Sequence, residues 1–140
     1  MRRRIFTTSI VSTFLLAAGS LWAHHSPSAI FDMTKKLTWS GTLTKVDWIN
    51  PHIVVAIEVK AAGGKIENWG FESNPPAWFK RVGVNRADLA KAVGHPVTVE
   101  GVRAKDGSLY GYLQKITFQD GTSLELFNGP DPAKPESGTP

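Results

Sequence analysis

The sequence predicts a mainly β chain: a small OB-like antiparallel β-barrel of five to six strands, with one short helix between strands three and four. Three observations carry this expectation. Short runs between Leu37 and Phe127 alternate apolar and polar residues with a period of two. Gly-rich and Asp-Gly pairs separate those runs. A single helical stretch interrupts them after the third run, which is the order of an OB-type barrel.

The expected strands follow in order. The first, Leu37 to Trp48, puts Leu37, Trp39, Gly41 and Leu43 on one face, and then the phase slips to Val46 and Trp48. A bulge between Gly41 and Lys45 would absorb that slip. The second, His52 to Val59, aligns Ile53, Val55, Ile57 and Val59; residues 61–65, Ala-Ala-Gly-Gly-Lys, turn it into the third, Ile66 to Ser73, with Trp69 and Phe71 inward. Asn74-Pro75-Pro76 opens the crossing, Ala77 to Arg81 forms one or two turns, and Asn85 caps Arg86 to Val93 before Gly94. Strands four to six are Val97 to Ala104, Tyr110 to Gln119 and Thr122 to Phe127, joined at Asp106-Gly107 and Asp120-Gly121.

The ends read differently. Met1-Arg2-Arg3-Arg4, an apolar run from Ile5 and the small residue of Leu21-Trp22-Ala23 make residues 1–23 a signal peptide. The run is too short and too interrupted by Ser and Thr for stable membrane insertion. Residues 24–36 form an N-terminal segment, 37–127 the barrel and 128–140 a tail with four prolines. Cleavage removes three of the sixteen Lys and Arg residues, leaving thirteen against twelve acids, a balance of +1. That balance argues against a nucleic-acid partner, which requires a dense basic patch. With no cysteine, disulfides and thiolate metal sites are excluded. The expected location is periplasmic or secreted.

Few residues can carry chemistry. There is no Cys nucleophile, Gly-x-Ser-x-Gly elbow, His-Glu-x-x-His pair or phosphate-binding loop, so an enzyme is the minority reading and no organic cofactor is expected. Cleavage after Ala23 would make His24 the first residue, whose α-amine and imidazole together chelate a metal ion. Both lose their protons near neutrality, and nitrogen-rich, near-planar ligation favours copper, with zinc second. His25 and His52 are the further metal candidates; the competing reading of His52 is a strand-end hydrogen-bonding residue. His95 reads as a solvated loop residue. Glu72 should lie opposite Ala56 and about 13 Å from His52 along the sheet, too far to share an ion. Trp48, Asn50, Trp69 and Glu72 make up a second candidate surface, for a small ligand or an envelope-protein partner.

Ala23-His24-His25-Ser26, Gly41-Thr42-Leu43 with Val46-Asp47-Trp48, Asn50-Pro51-His52, Trp69-Gly70-Phe71-Glu72 and the Arg103-to-Ser108 run together resemble a family of small exported bacterial proteins classed as a domain of unknown function. The resemblance covers nearly the whole mature chain. It implies export and a compact β-rich domain, without an activity. The residues it carries over are His24, His25, Asn50, Pro51, His52, Trp69, Phe71, Glu72, Lys105, Asp106 and Gly107, and His95 departs from its pattern.

Overall fold

The computed structural model describes residues 26–126. Helix α1 (Pro27–Ile30) leads into a 17-residue strand β1 (Phe31–Asp47), followed by β2 (Val54–Lys60) and β3 (Ile66–Glu72). Helices α2 (Pro76–Arg81) and α3 (Arg86–Lys91) cross to β4 (Pro96–Ala104), β5 (Tyr110–Phe118) and the short β6 (Ser123–Glu125). The strands hydrogen-bond in the order β3-β2-β1-β4-β5-β6, and β3 also pairs with β5. That last pairing closes a five-strand barrel and leaves β6 as an addition on β5. Closure is what rids the sheet of open edges.

The barrel matches the expected OB-type order, with three differences. Its closing seam, Gly70 to Glu72 against Tyr110 to Tyr112, is parallel, so the barrel is mixed. The crossing is not one continuous helix but the two short pieces read on either side of Asn85, because Gly83 at φ +80° ends the first and Asn85 starts the second. A side-chain bond from Asn85 to the Asp88 amide and its reciprocal form a capping box there. β1 also begins at Phe31, six residues before Leu37, because Phe31 pairs with Ala104 at the far end of β4.

Two bulges decide which side chains face inward. In β1 the register slips between Leu43 and Lys45, leaving Thr44 extra, and the Thr44 hydroxyl donates to the Ala56 carbonyl at 3.1 Å. The slip lets both Leu43 and Val46 reach the core. In β5 the register against β4 slips between Lys115 and Leu113, leaving Gln114 extra. Ile116 and Leu113 therefore both face inward, while Tyr110 and Tyr112 turn to the outer wall.

The main core fills the barrel with Trp39, Leu43, Ile57, Phe71, Val99 and Ile116 among others. Close approach across the seam requires Gly111, since a Cβ there would meet the Phe71 ring at 2.7 Å. A second, smaller cluster lies outside the barrel, where Phe31 packs on Val102, Ala104 and Tyr112. Phe31 meets Tyr112 and Tyr110 with ring centroids 5.4 and 6.0 Å apart. It fixes the amino-terminal segment to the outer wall beside the seam.

Candidate functional site

The seam and the approach to β2 build one polar cluster. The Asn50–Pro51 peptide is cis, and the chain then runs through His52 and Ile53 against Ser73 and Asn74. Ile53 donates to the Asn74 carbonyl at 3.2 Å, while the Ser73 amide and hydroxyl both donate to the Ile53 carbonyl at 2.9 Å. Ile53 and Ser73 are fully buried. These bonds fix the backbone on both sides of His52.

His52 Nδ1 lies 2.9 Å from Glu72 Oε1 and 3.0 Å from the Ser73 carbonyl. A carbonyl and a carboxylate can only accept, so Nδ1 carries the proton and donates to them. In the neutral ring Nε2 is then left with its lone pair. The pair is partly sheltered, at 36% side-chain exposure for His52 and 25% for Glu72.

This geometry corrects the expected 13 Å separation of the two residues. Glu72 pairs with Val54 and not with Ala56, because the whole β2–β3 hairpin is shifted by two residues. The turn sets that register: Ala61 donates to the Lys65 carbonyl at 2.8 Å around a 3₁₀ turn over Ala62–Gly64, with Gly63 and Gly64 at φ +76° and +78°.

Across the seam, the Tyr110 hydroxyl donates to Glu72 Oε2 at 3.5 Å, and Tyr112 stands at the register position of Glu72. Gly70 makes room for the Tyr110 ring, since a Cβ there would lie 3.0 Å from it. Burial, reinforced by the Glu72 charge, pushes both phenols above their usual pKa. Both phenols therefore keep their protons at neutral pH and can act as donors. Sequence patterning alone did not reveal Ser73, Tyr110 and Tyr112 as part of this cluster, because a parallel seam joins strands that no hairpin connects.

The other candidates are distributed around it. Asn50 is exposed on the loop ahead of His52, and Trp48 is half-buried with its ring 5.5 Å from Phe79. Trp69 is buried inside the barrel, 5.0 Å from Trp39, with Arg103 5.2 Å over its ring and its Nε1 donating to Glu67. It faces away from the outer wall that carries Glu72. His24 and His25 lie outside the described residues. The nearest described segment is anchored by Lys105, whose amide donates to Ile30 and whose Nζ donates to the Ser28 carbonyl at 2.6 Å. Asp106 caps its own turn by accepting from the Ser108 amide, and Gly107 supplies φ +81°. Among the described residues, no three His, Asp or Glu side chains gather as a metal-holding group.

Fold and contacts together define a small OB-type barrel that carries on its outer wall a half-buried histidine oriented by a carboxylate. The chain belongs to DUF6152, a family of unknown function, whose profile matches residues 13–114 and so spans the expected mature start, His52, Glu72 and the seam tyrosines. Comparison with curated proteins gives no match, and comparison with solved structures gives none.

Proposed function

We propose that the chain is an exported, non-enzymatic metal-binding barrel, with copper the first choice of ion and zinc the second. His52 is its fixed ligand, and the mature amino terminus supplies His24 and His25. One observation supports this reading above the rest: the donation of His52 Nδ1–H to Glu72 and Ser73. Metal-bound histidines are oriented this way, with the second ring nitrogen held by a carboxylate or carbonyl, which raises the basicity of the ligating one. The expected free amine and imidazole of His24 would add two nitrogen donors of the kind copper prefers.

The location of the amino-terminal segment also favours the reading. Phe31 packs on Tyr110, and Tyr110 reaches Glu72, so the segment and His52 share one outer wall. Whether the two donor sets hold one ion or two is a matter of stoichiometry. The test is a Cu(II) titration of the purified exported protein, its first residue fixed by intact mass. The wild type is expected to bind one ion. His52→Ala and a form with one glycine ahead of His24 should each weaken binding by tenfold or more, and Glu72→Gln by about 10- to 100-fold. Two independent ions would separate the amino-terminal chelate from His52. Unchanged affinity in all three variants would refute these ligands, and a wild type that takes up no Cu(II) would refute metal binding.

A second reading is a binding module of the cell envelope without metal. It is favoured by the loop ahead of His52, where Ile49 is 57% exposed and Asn50 and Pro51 are exposed with it. Under that reading Ile49→Asp abolishes capture of the partner, while His52→Ala and added metal leave it unchanged.

A further inference from the structure

Helix α2 buries Pro76 and Phe79, which leaves Trp78, Arg81 and, at the helix end, Val82 on its other face. The loop after β1 borders α2. Trp48 and Trp78 both pack on Phe79, with ring centroids 5.5 and 5.1 Å from it, and Ile53 donates to the Asn74 carbonyl just ahead of the helix. Ile49 on that loop and Val82, 57% and 48% exposed, are the two most exposed large apolar side chains among the described residues. Trp48 and Trp78 are half-buried, and neither indole N–H has a hydrogen-bond partner among the described residues or is sealed from solvent.

The charge here is one-sided. Residues 74–87 hold Lys80, Arg81 and Arg86 and no acid, and none of the three is in an ion pair or hydrogen bond among the described residues. The bordering acids come with bases of their own: Asp47 with Lys45 at 2.8 Å, Asp88 with Lys91 at 3.9 Å and Glu125 with Lys115 at 3.6 Å. Glu72 is turned to the seam, toward His52 and Tyr110. An excess of positive charge therefore surrounds two exposed aliphatic side chains and two indoles with unspent N–H groups.

We propose that this face docks peripherally on the anionic headgroup surface of a phospholipid bilayer. The cations meet lipid phosphates, and the indoles take the headgroup level, which suits a ring with one wet polar edge. Ile49 and Val82 enter the boundary with the acyl chains. A soluble polyanion would occupy the cations and leave both aliphatic side chains in water. No described helix is long and apolar enough to cross a bilayer, and none of these residues is among the proposed metal ligands.

The probe is a pair of unilamellar vesicle preparations, phosphatidylcholine alone and phosphatidylcholine mixed with phosphatidylglycerol, each co-sedimented with the full mature chain. The wild type should bind the mixed vesicles about tenfold more tightly than the neutral ones at low salt, and lose that preference at high salt. Lys80→Gln combined with Arg81→Gln should weaken binding to the mixed vesicles by about tenfold or more, and Ile49→Ser combined with Val82→Ser by about tenfold. All four side chains are exposed, so both variants should keep the wild-type Tm. Lys60→Gln combined with Lys65→Gln removes the same charge from the exposed β2–β3 turn and should leave vesicle binding near the wild-type level. Equal weakening by that pair would reduce the effect to net charge and overturn the proposal. So would equal binding to the neutral vesicles, or no binding to the mixed ones. Heparin binding in place of vesicle binding would assign the cations to a soluble polyanion instead.

Discussion

A single hydrogen bond donor, His52 Nδ1, gives the outer wall its chemical direction, because it meets two acceptors and leaves the lone pair to Nε2. Gly70 is part of the same device. Gly70→Val should push the Tyr110 ring from Glu72, bringing the Tyr110 phenol back toward its ordinary titration range as the contact is lost, measured by absorbance against pH. Phe71, on the seam, is fully buried and in edge contact with Trp39 at 4.9 Å. Phe71→Ala should cost about 3–5 kcal/mol in urea unfolding, as large cavities do. His52 and Glu72 could each be singled out in the sequence, but their contact could not. A two-residue slip of the β2–β3 hairpin keeps Trp69 and Phe71 inward, so alternation cannot distinguish the two registers. The pair of positive-φ glycines in the turn makes the choice.

Among the elements, α3 depends on its cap because six residues make only marginal helix by themselves. Asn85→Ala removes the bond to the Asp88 amide and should cost about 1 kcal/mol by thermal unfolding. Apart from the early start of β1, the strands were legible to within a few residues, since they show period-two runs bounded by Gly, Asp-Gly or Asn-Pro. The β1 bulge was legible as well, because the apolar phase shift from Leu43 to Val46 has no other remedy in a strand. The Gln114 bulge was not: Tyr110, Tyr112 and Ile116 share one parity in the sequence, and only pairing with β4 shows that the tyrosines face outward. The parallel β3–β5 seam and the early start of β1 were hidden for a related reason. Both are contacts between segments far apart in the chain, and local periodicity carries no information about partners at that distance.

At the scale of the molecule, the closed barrel supplies a rigid wall, and a band of charges crosses its strands. Glu100 accepts from Lys36 on β1 at 2.7 Å and approaches Lys115 on β5 at 3.8 Å, and Lys115 also faces Glu125. The hydrogen bond from Lys36 holds the Glu100 carboxyl below its usual value. A lowered carboxylate stabilises the fold above its unfolded-state pKa, and that contribution disappears as the pH falls through the folded value. Lys36→Met should therefore be less stable than wild type at neutral pH, by at most about 1 kcal/mol for so exposed a pair. The two proteins should converge in acid, as followed by urea midpoints from pH 7 to pH 3. The proposed metal-binding role rests on the same wall, and long-range ¹H–¹⁵N spectra of the histidine rings, recorded before and after zinc is added, report on it at the atom concerned. The expected result is a protonated Nδ1 and a free Nε2 on His52 before zinc, with only the Nε2 resonance shifting to a coordinated position afterwards. A His52 Nε2 that carries the proton from the start, or that stays unmoved at saturating zinc, would contradict it.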